Sequence, residues 1–214
     1  MRRLVVATRS AHKLREIREI LGPLRGWEIV DLTGAGVPES PEEEGIEAYP
    51  TFRENALAKA RYFVERTGTL TLADDSGLCV DALGGAPGVY SKRFAGRTDL
   101  SGIELDRTNN ALLLDRLRSV ARESRTGRYV CALALVAPDG AELCFEGSCE
   151  GSILDEPRGD AGFGYDPLFY LPAEHATFGE LAPERKNEIS HRAVAVRAAR
   201  EALTARHAVS APGR

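Results

Sequence analysis

Apolar residues fall along this chain in two rhythms. Short segments read as strands: residues 3–8, a buried run led by Leu4, Val5 and Val6, then residues 27–32, the alternating residues 69–73, and residues 167–171. Spacings of three and four mark helices. Residues 11–21 place Leu14, Ile17, Ile20 and Leu21 on one face behind Ser10, a capping residue, and Gly22-Pro23 stops them. Thr51-Phe-Arg-Glu54 is a capping box that opens a helix to residue 67, with Leu57, Ala60, Phe63 and Val64 inward. Residues 103–123 carry Leu105, Leu112, Leu113, Leu117 and Val120 as a stripe, and residues 190–207 form an alanine-rich terminal helix. Residues 128–137 and 141–153 flank the turn sequence Pro138-Asp139-Gly140 and predict a hairpin of long strands.

Helices and strands alternate, but the hairpin interrupts them, which predicts an α/β fold with a mixed sheet. No repeat and no linker divides the chain. We expect one domain over residues 1–209, two lobes around one sheet, and a frayed tail at 210–214. Between the second strand and the capped helix lies an acidic loop, residues 37–50, with Glu39, Glu42, Glu43, Glu44 and Glu47. By itself this loop reads as a solvated mobile segment.

Composition narrows the function. The 28 basic and 32 acidic residues leave a net charge of −4, whereas proteins that track nucleic-acid phosphates carry a basic excess. No nucleic-acid polymer is expected as partner. The apolar run at residues 130–137 falls far below the ~20 residues needed to cross a bilayer, and residues 4–7 are too short for the core of a signal peptide. Cys79, Cys131, Cys144 and Cys149 form no C-x-x-C pair, as expected of thiols in a reducing compartment. The reading is a cytoplasmic protein with no membrane contact.

Eleven of the 21 glycines lie within residues 77–102 and 147–164, where the backbone either turns sharply or approaches something closely. Asp74-Asp75-Ser76-Gly77 follows a strand. It reads either as paired carboxylates presented to Mg²⁺ at the strand's end or as an Asx turn closing that strand. The strand–turn–helix joint Thr8-Arg9-Ser10-Ala11-His12-Lys13 offers free helix amides and basic groups to a phosphate. Lys59, on the capped helix, reads as a solvated lysine. Phe163-Gly164-Tyr165-Asp166 sets two aromatic rings and a carboxylate in a glycine turn; they either stack on a planar base or plug the core. Lys186, His191 and Arg192 are donors around a helix start, suited to a base carbonyl or a phosphate.

In this order and spacing, the segments resemble the inosine triphosphate pyrophosphatase family over residues 4–203. The resemblance rests on Ala7-Thr8-x-x-x-x-Lys13, Thr51-Phe-x-Glu54-Asn55-Ala56 with Lys59-Ala60, and Ala73-Asp-Asp-Ser-Gly-Leu78. It continues through Leu83-Gly-Gly-Ala-Pro-Gly88, Ser91-x-Arg93, Gly162-Phe-Gly-Tyr-Asp-Pro167, and Lys186 with Ile189-Ser-His-Arg192. It implies an elongated mixed central sheet flanked by helices, with two lobes and a cleft, usually as a homodimer. It also implies Mg²⁺-dependent cleavage of inosine and xanthosine triphosphates, ribo or deoxy, to monophosphate and pyrophosphate. By position, Asp75 would be the catalytic proton acceptor and a metal ligand, with Glu47 the best match for the second ligand. Ser76 would touch substrate, Thr8 to Lys13 would hold phosphate with Lys59 as a further phosphate contact, and Phe163 to Asp166, Lys186, His191 and Arg192 would hold the nucleotide. The chain departs from the family pattern at Ser10, where the family usually has Asn, at Arg9, where it often has Gly, and at Glu47-Ala48-Tyr49, where it has Glu-Thr-Gly. The competing readings are another metal-dependent nucleotide or sugar-phosphate hydrolase and a catalytically silent nucleotide-binding protein.

Overall fold

The computed structural model describes residues 1–209, so the expected tail at 210–214 lies outside the described residues. The strands are β1 (Arg2–Val6), β2 (Trp27–Asp31), β3 (Thr71–Val80), β4 (Thr126–Val136), β5 (Glu142–Ile153), β6 (Phe169–Leu171) and β7 (Ala176–Thr177). The helices are α1 (Ala11–Leu21), α2 (Phe52–Thr67), α3 (Gly102–Arg116), α4 (Pro183–Ile189) and α5 (His191–Val209). The seven strands make one sheet in the order β2-β1-β3-β4-β5-β6-β7. β1 runs parallel to β2 and β3, while β5–β6 and β6–β7 pair antiparallel, so the sheet is mixed as expected.

The chain divides into two compact units. The first comprises Met1–Asp75, Cys131–Gly147 and the segment from Arg192 onward. Its core follows the two-residue period of strands. Leu4, Val6, Leu72, Cys131, Leu133 and Leu135 face one way, against Ile17 and Leu21 of α1 and Ala195, Val196 and Ala199 of α5. Val5, Ala7, Ala73, Ala132, Ala134 and Val136 face the other way, against Ala56, Ala60, Phe63 and Val64 of α2. Burial on both faces explains why these strands read as unbroken apolar runs. Ser10 caps α1 by accepting from the Lys13 amide, and Gly22 ends the helix. Thr51 accepts from the Glu54 amide as expected, but the Glu54 carboxylate accepts from the Thr51 hydroxyl (2.6 Å) in place of the N-cap amide.

The second unit comprises Ser76–Val130 and Ser148–His191. Its core joins Leu78 and Val80 to Leu113, Leu117, Tyr129, Phe169 and Phe178, with Tyr129 edge-on to Phe169 at 4.8 Å. α3 stops at Arg116, short of the predicted residue 123, because the Arg118 amide turns back three residues to Asp115. Leu117 and Val120 still pack on the core from the following turn. β7 and α4 were not anticipated. All four cysteines are free, and among the described residues no helix is long and apolar enough to cross a membrane.

The largest correction concerns residues 74–77. They form neither a strand end nor an Asx turn, because β3 runs unbroken through them to Val80. The glycine at 77 serves close approach to the chain itself. Ser91 Oγ accepts from the Leu78 amide (2.9 Å) and donates to the Gly88 carbonyl (2.6 Å), and a Cβ at Gly77 would lie 2.3 Å from that Oγ. Gly77→Ala should therefore cost about 1–3 kcal/mol through overpacking. In urea denaturation this appears as a lower midpoint with an unchanged slope; an unchanged midpoint would show that the contact yields freely.

Candidate functional site

Because β3 continues, its two neighbouring aspartates point to opposite faces, each into a different environment. Asp74 follows Leu72 onto the α1–α5 face, where it is fully buried. Its Oδ2 lies 3.1 Å from Lys13 Nζ and 3.4 Å from an Arg192 nitrogen, and Arg192 also pairs with Glu16 on α1. Lys13 reaches Asp74 because Ser10 fixes the start of α1, and Thr8 Oγ1 steadies that turn by accepting from the Ser10 amide (3.2 Å). Burial pushes the Asp74 carboxyl up, but the charges of Lys13, Arg192 and Lys59 outweigh it and hold the carboxyl well below the ordinary range.

Asp75 follows Ala73 onto the α2 face. Its Oδ2 accepts from Asn55 Nδ2 at 2.9 Å. Burial first, then the negative charge of Glu47, raise its pKa against the opposing pull of Lys13, Lys59 and the Asn55 hydrogen bond. One aspartate is thus locked as an anion between cations, while its neighbour is held by a neutral amide with its proton affinity raised.

The acidic loop is pinned by named contacts, which corrects its reading as a solvated mobile segment. Ser40 and Glu43 form a capping box on a short 3₁₀ helix, Pro41–Gly45. Glu43 takes a forked bond from Arg9, which also donates to the carbonyls of Val37 and Pro38. In this structure the Arg9 guanidinium clamps the loop. Glu47 pairs with Lys59, so Lys59 is not a solvated lysine; burial lowers its pKa, but the charges of Glu47, Asp74 and Asp75 overcome that and raise it. Burial pushes Glu47 up, yet Lys59 and Lys13 carry it below the ordinary range. Ala11 and His12 lie exposed at the start of α1, and Ser76 is half-buried on β3.

In the second unit, Gly162 has φ +79° and a Cβ there would lie 2.1 Å from Asp166 Oδ2, so only glycine fits. Asp166 is spent internally: it accepts from the Phe163 amide (2.8 Å) and from Lys186 Nζ (2.6 Å). Tyr165 is a core residue whose hydroxyl donates to the Ser91 carbonyl (2.8 Å), so of the two expected stacking rings it fills the core. Gly164 is anchored through its amide to Asp106 (2.8 Å) and through its carbonyl to Asn110 (3.0 Å). Half-buried Phe163 lies under the Lys186 ammonium, 4.8 Å from the ring centre. His191 is buried, with its ring stacked on Tyr129 at 4.7 Å and 8°. Arg192, expected to touch the base, is fully buried between Glu16 and Asp74.

Sequence reasoning missed Glu16 and Asn55. The available signal was a polar residue on each helix's inward face, Glu16 beside Ile17 and Asn55 beside Ala56. Among the described residues, no cluster of three or more His, Cys, Asp or Glu side chains is arranged around a metal position. The donor set suits a different mode. Asp75 and Glu47 are hard carboxylates, the donor type that Mg²⁺ takes alongside waters and phosphates.

The Ham1 family model matches residues 4–202. The chain belongs to the Ham1 family. This Ham1 protein is 48% identical over 200 residues to the dITP/XTP pyrophosphatase of Thermus thermophilus, covering 94% of this chain and 91% of that one. It is 50% identical over 192 residues to the dITP/XTP pyrophosphatase of Geobacter sulfurreducens, covering 90% and 92%. A solved HAM1 protein from Coxiella burnetii superposes with a TM-score of 0.82 at 38% identity, covering 96% of this Ham1 chain and 100% of that chain. The resemblance drawn from the motifs is borne out, as is the α/β fold.

The buried charge cluster makes a stability prediction. A carboxyl whose pKa falls on folding contributes stability above its unfolded value near 4 and loses it as pH drops below that value. Asp74→Asn leaves Lys13 and Arg192 facing a neutral group and should cost about 3–5 kcal/mol at neutral pH. The gap to the parent should narrow below about pH 4. Urea denaturation across pH checks this, and a gap independent of pH would contradict it.

Proposed function

We propose that this protein hydrolyses non-canonical purine nucleoside triphosphates (ITP, dITP and XTP) to the monophosphate and pyrophosphate, and so clears them from the nucleotide pool. The observation that carries this reading is the division of labour at Asp74 and Asp75, one neutralised by Lys13 and Arg192, the other held by an amide with its pKa raised. Relatives named dITP/XTP pyrophosphatase, about half identical to this chain, support the same substrate class.

Asp75 accepts a proton from the water that attacks the α-phosphorus, and pyrophosphate leaves. Asp75 and Glu47 would hold Mg²⁺, which when bound supplies positive charge to the triphosphate oxygens. The amides that open α1 bind phosphate oxygens, with Ser76 as a further contact. Lys13 and Lys59 offset the charge that grows on the leaving side. Arg192 serves this site by balancing Asp74 and Glu16.

Phe163, Lys186 and His191 handle the base. Stacking on Tyr129 fixes the plane of the His191 ring, and an imidazole N–H there donates to the 6-oxo group of hypoxanthine or xanthine. Adenine presents an amino donor at that position, and a donor facing a donor leaves both unpaired, which discriminates by as much as about 10⁴. A cytoplasmic homodimer is part of this reading.

The deciding experiment measures pyrophosphate and phosphate release from ITP, dITP, XTP, GTP, ATP and a sugar phosphate, with and without Mg²⁺. We expect Mg²⁺-dependent pyrophosphate from the first three. Release of orthophosphate would indicate another phosphohydrolase, and calorimetric binding of ITP without turnover would indicate a silent nucleotide binder. Asp75→Asn should keep the parent's melting temperature and lose about 10²–10⁴ in kcat; full activity in that variant would remove Asp75 from the chemistry.

A further inference from the structure

Asn55 is the one fully buried amide side chain on α2, a helix whose other buried residues are Ala56, Ala60, Phe63 and Val64. A side-chain amide in such surroundings is costly unless its donor and its acceptor are both engaged. Both are. Nδ2 donates to Asp75 Oδ2 at 2.9 Å, and Oδ1 accepts from the Tyr49 amide at 2.9 Å. The orientation is forced by chemistry, since an ionised carboxylate only accepts and a backbone N–H only donates.

The two partners come from different parts of the first unit. Asp75 lies on β3, and Tyr49 is two residues beyond Glu47 in the acidic loop. One helical turn after Asn55, Lys59 pairs with Glu47 itself. α2 therefore presents two successive inward positions, one holding β3 and the loop backbone together and the other holding the loop's carboxylate.

We propose that Asn55 is a positioning residue for the reaction, a neutral brace that sets the carboxylate of Asp75 and the loop carrying Glu47 at a fixed spacing. The proposal rests on the assignment of Asp75 and Glu47 to the chemistry made above. A neutral donor suits this place, because it orients Asp75 without adding a charge to the pair. Lys13 and Lys59 already provide the cations, and a third would bind Asp75 as tightly as Lys13 binds Asp74.

Two variants separate the halves of the brace. Asn55→Ala removes both bonds. Asn55→Asp keeps an acceptor for the Tyr49 amide and replaces the neutral donor to Asp75 with a carboxyl that must repel it or share its proton. The measurements are kcat and KM for pyrophosphate release from dITP, hydrogen exchange at the Tyr49 amide, and the melting temperature.

We expect kcat to fall about 10- to 100-fold in both variants, the scale of a misplaced reacting group, with KM within about threefold of the parent. The Tyr49 amide should exchange faster in Asn55→Ala and stay slow in Asn55→Asp. Parent-like kcat in a folded Asn55→Ala protein overturns the proposal. So does a loss confined to KM, a loss that only tracks the folded fraction, or failure of both variants to fold. Should the parent release no pyrophosphate, the assigned function fails, and the Tyr49 exchange rate still decides whether the brace exists.

Discussion

Everything in the first unit depends on burying Asp74. A lone ionised carboxylate in a dry interior costs several kcal/mol, and the fold meets that cost only by bringing Lys13 and Arg192 to it from two different helices. Two cations for one anion would leave an excess, which Glu16 removes by pairing with Arg192. The cluster ties α1, β3 and α5 by charge where the apolar residues around it tie them by packing. Because an unpaired buried charge is so unfavourable, the cluster also fixes the register of these elements. Sliding α1 by one residue would leave both Lys13 and Glu16 aimed elsewhere.

The same alternation that buries Asp74 delivers Asp75 to the opposite face, against α2. Adjacent residues on a strand share almost the same depth but not the same neighbours. Here Lys13 and Lys59 act on both carboxylates, but Arg192 adds to the pull on Asp74 while the charge of Glu47 opposes it at Asp75.

Local signals were legible where local physics decides. Ser10, Gly22, Thr51 and the Pro138-Asp139-Gly140 turn act within four residues of themselves, and the elements they bound fall close to the expected ones. The Asp-Asp-Ser-Gly run misled because its turn preference is also local, and partners distant in sequence outweighed it. Tyr165 and Asp166 were legible as a site-like motif, but nothing in a glycine turn says which side chain faces the core. Arg192 was read as a donor to substrate because it stands beside Lys186 and His191 at a helix start, and its two acidic partners are 176 and 118 residues away. α4 carried a legible start, Pro183 at the first helical position, yet its seven residues are too short for periodicity to register.

The acidic loop shows how surface charges and buried charges differ in what they fix. At its outer edge Glu42 meets Arg66 with 70% of the glutamate side chain exposed, where salt screening reduces the attraction to little. Further in, Glu43 and Arg9 share a forked, better-sheltered bond. Lys59, only 12% exposed, likewise keeps a sheltered pair with Glu47. The loop is therefore held by the two sheltered pairs, Glu43 with Arg9 and Glu47 with Lys59, while the exposed pair of Glu42 adds little.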